Sequence, residues 1–242
     1  MDICVQGQMA TDANKSILMY GDLTVTGRLV DASNATLYAT VEFESKKLTC
    51  IYKPVAGERP LWDFPDGTLA DREYAAYLVS DFLGLDIVPL TILRDGPYGP
   101  GMVQEWIEID ESIDLAEYFS LDVPNLRSMA FFDAIINNTD RKIGHLLPTV
   151  DGLLYGCDHG VTFHEEDKLR TVLWQWAGDD LNEAEQTSLS LLHSSIGQSL
   201  DLSSYITAIE IDALSARIEE LLKTKKMPVP NPDWPAVPWP AF

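Results

Sequence analysis

The sequence predicts an α+β protein in two lobes, a small N-terminal lobe built on an antiparallel sheet and a helical C-terminal lobe, with a crevice between them. Two observations carry this expectation. Short runs rich in β-branched and aromatic residues dominate the chain before about residue 109, and beyond it the strand signal fades into helical periodicity. The chain is also 242 residues long, 46% hydrophobic and 23% charged, enough for one large domain or two small lobes.

Taken in order, Leu23–Val30, Thr36–Phe43 and Leu48–Lys53 read as three successive strands, and the breaks at Asp31–Asn34 and Glu44–Lys47 carry turn chemistry. From Leu69 to Leu83 the period changes: Leu69, Ala76, Leu78, Val79 and Phe82 share a helical stripe, Asp71 suits the first turn and Gly84 ends the helix. Ile87–Leu93 and Gly101–Glu108 form a further hairpin across the turn-rich segment Arg94–Pro100. Pro124–Ile136 reads as a buried helix and Gly152–Cys157 as a short strand. Ser203–Lys226 is an amphipathic helix with Ile206, Ile209, Leu214, Ile218 and Leu221 on its apolar positions. The tail Met227–Phe242 holds too many prolines for helix or central strand; its two tryptophans and Phe242 predict an extended segment lying against the body. Lobes over 1–108 and 109–242 follow, with a hinge near 104–107.

Composition narrows the function classes. The net charge of −21 is spread along the chain and leaves no basic face, so nucleic acid and anionic membrane surfaces are repelled at long range. No apolar run approaches the roughly 20 residues of a membrane-spanning helix. The N-terminus lacks a basic flank and an apolar signal region, which predicts a cytoplasmic protein. Three cysteines at 4, 50 and 157, without a Cys-x-x-Cys pair, predict neither disulfides nor structural zinc.

The chemistry concentrates in Asn137-Asn-Thr-Asp-Arg-Lys-Ile-Gly-His145 and in Asp158-His-Gly160. Phosphoryl transfer from ATP needs a surface for adenine, a cation against the phosphates, a carboxylate to hold metal and an acid to orient the acceptor hydroxyl. Lys53 ends the third strand, where it reaches toward the α- and β-phosphates, and Glu73 on the following helix is placed to pair with it. In the loop between the first two strands, small residues let backbone N–H groups approach phosphate, with Ser33 and Asn34 as side-chain donors. An ordinary hairpin turn would look the same.

In this order the set resembles the phosphatidylinositol 3-/4-kinase-like branch of the protein-kinase fold, and within it a small actinobacterial family of lipid-kinase-like proteins; Asn231–Pro240 matches that family's tail. The resemblance covers nearly the whole chain. It implies ATP and Mg2+ as cofactors, with Asp140 orienting or deprotonating the acceptor, Lys142 stabilising the transferring phosphate, and Asp158 holding the metal. It also implies a hinge at Gln104, Glu105, Trp106 and Ile107 that offers backbone groups to adenine. His145 stands where the superfamily has a metal-holding Asn. Imidazole suits softer ions than magnesium, so His145 is read either as a metal ligand that favours Mn2+ or contacts phosphate, or as a cap of its own loop. His159, in place of the family's Phe, is assigned to packing. The acceptor is a protein or a small soluble molecule rather than lipid; a nucleotide-binding pseudokinase or regulatory partner and an AMP-transferring enzyme are the alternatives.

Overall fold

The computed structural model describes residues 12–29 and 35–242. A helix over 12–20, labelled α1, precedes the strands β1 (Asp22–Arg28), β2 (Leu37–Phe43) and β3 (Lys46–Pro54). Helix α2 (Leu69–Leu83) and the hairpin β4 (Thr91–Gly96) and β5 (Gly99–Glu105) follow. Then come α3 (Leu115–Tyr118), α4 (Pro124–Ile136), the two-stranded pair β6 (Leu146–Pro148) and β7 (Leu154–Gly156), α5 (Glu183–Ser195) and α6 (Ala208–Thr224).

The five large strands form one antiparallel sheet in the order β1-β2-β3-β5-β4. β2 and β3 meet through Glu44 and Ser45, both in the left-handed region, as a two-residue hairpin with right-handed twist requires. Thr68 caps α2 by accepting from the Asp71 N–H, and Gly84 closes it at φ 61, where a side chain would be strained. One apolar core runs from the inner face of the sheet through α2 and α4 to Leu214, Ile218 and Leu221 of α6.

Four expectations need correction. The turn between β4 and β5 shrinks to Pro97-Tyr98, because Arg94–Gly96 and Gly99–Gly101 continue the ladder. Ile87 and Val88 are not strand: their N–H groups donate to the Ser80 hydroxyl of α2, at 3.0 and 3.2 Å. α6 begins only at Ala208, behind the Thr207 cap, and Ile209 is 62% exposed because it falls on the face opposite Leu214 and Ile218. The tail does lie along the body, but not through its aromatic residues as a set. Trp239 is 93% exposed and Phe242 64% exposed. Backbone groups do the holding instead: the Thr171 N–H and the Trp174 indole both donate to Ala236 O, at 3.0 and 2.8 Å, and the Ile143 N–H donates to Ala241 O at 2.9 Å. Trp234 alone packs closely, under the cations of Lys168 and Arg170.

Candidate active site

Lys53 stands in the middle of the sheet, opposite Met102 of β5. Its ammonium donates to Glu73 Oε1 at 2.6 Å and to Asp158 Oδ1, so the sheet, α2 and the segment after β7 converge on one cation. Burial alone would lower the Lys53 pKa, but Asp158 and Glu73 outweigh it and hold the group charged. Glu73 is almost fully enclosed, and its second oxygen accepts the His159 N–H at 3.0 Å. α2 is placed for this by Glu58, whose carboxylate accepts the Leu69 and Ala70 N–H groups at 2.9 Å each and suits the positive end of the helix. Gly160 allows the close approach: a Cβ there would lie 3.2 Å from the Leu69 Cβ and 3.7 Å from the Glu73 Cγ.

Asp158 sits at φ 57, a left-handed conformation that Asp tolerates better than most residues and that turns its carboxylate back toward Lys53. The Lys53 charge, with His145 adding to it, depresses its pKa against the opposing effect of burial. His145 Nε2 lies 3.4 Å from Asp158 Oδ2, while His145 Nδ1 accepts the Lys142 N–H at 3.4 Å. Nδ1 is therefore the unprotonated nitrogen and Nε2 carries the proton, a tautomer assigned from these contacts. Burial lowers the His145 pKa to about 4 despite Asp158, and Arg141 and Lys142 add to the depression.

The loop from 137 to 145 is built by its own amide side chains. Asn137 ends α4 at φ 50, donating to His164 O and Glu166 O and accepting from the Lys168 N–H. Asn138 accepts the Asp140 N–H at 3.0 Å and donates to Asp133 Oδ1 at 2.9 Å. Asp140, half-buried, has its carboxylate 3.1 Å from Lys142 Nζ. Burial raises its pKa, with Lys142 and Arg170 opposing.

Behind this loop lies a network that sequence reasoning missed. Arg141 and Asp133, both fully buried, pair through Nε and Nη2, and Arg141 also donates to Cys157 O and meets His159 Nε2 at 2.7 Å. It joins α4, the loop and the residues beside Asp158. The available signal was Asp133 itself, an acid inside the apolar run of a buried helix. His159 packs edge-on against Phe132.

At 104–107 the chain leaves β5. Gln104 is buried and its amide donates to Thr91 Oγ1 at 2.9 Å, so its side chain is committed to the interior. The Glu105 and Trp106 N–H groups donate to Leu90 O and Thr49 O, Glu105 accepts from the Asn14 amide, and Trp106 meets Tyr38 edge-on. Among the described residues the Ile107 N–H makes no hydrogen bond, which leaves it able to serve a ligand. Ser33 and Asn34 lie outside the described residues.

The structure thus brings together Lys53, Glu73, Asp158 and His145, with Asp140 and Lys142 on the adjoining loop. Among the described residues no group of three or more His, Cys, Asp or Glu forms a ready metal cage. One or two carboxylates completed by phosphate oxygens and water is nevertheless how magnesium is commonly held beside nucleotides, and Asp158 fits that use. Nor, among the described residues, is any helix long and apolar enough to cross a membrane.

No family model matches the chain. Among solved structures, the Golgi casein kinase superposes with a TM-score of 0.56 at 13% identity, over 89% of this chain and 74% of that one. The Helicobacter pylori proinflammatory kinase CtkA gives a TM-score of 0.47 at 11% identity, over 87% and 94%, too weak a likeness to bear on the fold. In sequence, Protein Rv2133c of Mycobacterium tuberculosis is 43% identical over 279 aligned positions that span 99% of this chain and 100% of that protein. The chain belongs to the family of Protein Rv2133c, and its fold is protein-kinase-like.

Proposed function

We propose that the protein is an ATP-dependent phosphotransferase acting on a hydroxyl of a protein or small soluble molecule, within the phosphatidylinositol 3-/4-kinase-like branch of its fold. The observation that carries this reading is the convergence of Lys53 from the sheet, Glu73 from α2 and Asp158 after β7 on one point, with Asp140 on the neighbouring loop. The N-terminal lobe would end near 108, and Glu105 to Ile107 would offer backbone groups to adenine. Lys53, held by Glu73, would bind the α- and β-phosphate oxygens. Asp158 would hold magnesium or manganese, which when bound neutralises charge on the β- and γ-phosphates. The acceptor oxygen attacks the γ-phosphorus, its proton passes to Asp140, the bond to the β-phosphate oxygen breaks and ADP leaves. The burial that raises the Asp140 pKa makes it a better base than a solvated carboxylate. Lys142, 3.1 Å from that carboxylate, is near enough to stabilise the transferring phosphate.

His145 suits a positioning role better than a ligand's. With the proton on Nε2 it points a donor at Asp158; offering that nitrogen to a metal would require the other tautomer and would take the acceptor from the Lys142 N–H. The same contacts favour a second reading, a nucleotide-binding pseudokinase, because Lys53 and His145 between them face both Asp158 oxygens. Measuring ADP formation and phosphate incorporation with magnesium and with manganese separates the two readings. Intact mass distinguishes an added phosphate from an added AMP. An Asp158→Ala variant with full ATP turnover would overturn the phosphotransferase reading.

A further inference from the structure

Glu73 can hold Lys53 only while α2 keeps its place, and the residue before it is tied to the helical half of the molecule. Arg72 is 2% exposed. Its Nη1 donates to Glu210 Oε1 of α6 at 2.5 Å and to Thr162 O at 3.1 Å, and its Nη2 donates to Asp66 O at 3.0 Å. The guanidinium also lies 4.8 Å from the centre of the Phe64 ring. One side chain therefore joins α2, the loop leading into it, α6 and the segment just after Asp158-His-Gly160. Thr162 ties that segment back again, its hydroxyl donating to His159 O at 2.8 Å.

Stability alone explains this arrangement poorly. A buried ion pair often contributes no more than well-packed apolar residues of the same volume. Here, moreover, Arg72 Nε is buried with no protein partner among the described residues, an unmet donor that counts against the fold. Glu210 is the more firmly fixed partner: its other oxygen accepts the Thr207 N–H and hydroxyl at 2.9 and 3.0 Å, so it is seated on the first turn of α6 before Arg72 arrives.

We infer that Arg72 and Glu210 are a positioning pair that locks α2 against α6, fixing Glu73 on Lys53 and the 158–162 segment beside it. The inference rests on the phosphotransferase reading for its consequence in catalysis, but the lock itself is measurable without any turnover. The double variant Arg72→Met/Glu210→Gln removes both charges while keeping side-chain length and a Thr207 partner; Glu210→Gln alone is the milder change should the double variant not fold. Amide hydrogen exchange is followed in α2, with α4 as the internal reference. Loss of the lock should speed α2 exchange by at least about tenfold with α4 unchanged, a local opening that global destabilisation does not produce. Turnover at saturating ATP should fall by a similar factor. Wild-type exchange in α2, or equal acceleration in α2 and α4, overturns the inference. Faster α2 exchange in a protein whose wild-type form transfers no phosphate upholds the lock and overturns the phosphotransferase reading instead.

Discussion

Replacing His145 with Asn should change how stability depends on pH, by an amount that follows from its surroundings. In the folded protein burial holds the imidazole pKa near 4, against about 6.5 in an unfolded chain. Above pH 6.5 both states carry the neutral ring and the residue contributes nothing to the slope. As pH falls from 6.5 to 4 the unfolded chain takes up a proton that the folded one refuses, and stability is lost through that window. A gap of about 2.5 pH units corresponds to about 3 kcal/mol, of which little should be screened because the side chain is only 13% exposed. Asn does not titrate, and its carbonyl can still accept the Lys142 N–H. Urea unfolding at a series of pH values from 7 to 4 should show the variant's curve flatter than the wild type's by that amount, with the carboxylates common to both cancelling. Parallel curves would refute the assignment of His145 as a buried, neutral donor to Asp158.

Asp140→Asn should cut phosphate transfer by roughly 10²–10⁴-fold while a fluorescent ATP analogue still binds with wild-type affinity; lost binding would point to a structural role. Asp133→Asn strips the counter-charge from the fully buried Arg141 and should cost about 3–5 kcal/mol in urea unfolding, a loss that a surface pair would not show. Magnesium or manganese should raise the melting temperature only together with nucleotide, because Asp158 alone is a poor cage; an equal rise with metal alone would count against phosphate oxygens completing the site.

Much of the fold was legible because its local signals agree with its packing. α4 is buried on nearly every side as read, and β2 and β3 pair where their β-branched and aromatic runs predict strands; on α2 the read stripe is enclosed only at Ala76 and Val79, with Arg72, Glu73 and Ser80 buried beside it. Where the sequence misled at the start of the predicted hairpin, a side chain from the preceding helix had overridden the local signal. Ile87 and Val88 look like strand, but the Ser80 hydroxyl claims their backbone. α5 went unread although Asn182 and Glu185 form a reciprocal capping box, because its apolar face is narrow, with only Leu189 and Leu192 deeply buried among its hydrophobic residues. In the site, spacing singled out the acids and Lys53, residues whose chemistry declares itself. Arg72 and Glu210 meet across 138 residues of chain, which no local pattern marks; for Arg141 the one sign was Asp133, eight residues before it in the apolar run of α4.

The hydrogen bond from the Ile143 N–H to Ala241 O, with Phe242 beside Gly144, gives the middle of the chain a support that is synthesised about a hundred residues later. Contacts of such separation are slow to close, as are the ties from α2 to Glu210 and from Lys53 to Asp158, whereas the hairpins β2–β3 and β4–β5 are assembled from near neighbours. The chain can therefore be expected to form its two hairpins before either the Lys53 cluster or the loop bearing Asp140 settles, so that during folding competence to bind nucleotide and competence to transfer phosphate would both arrive late.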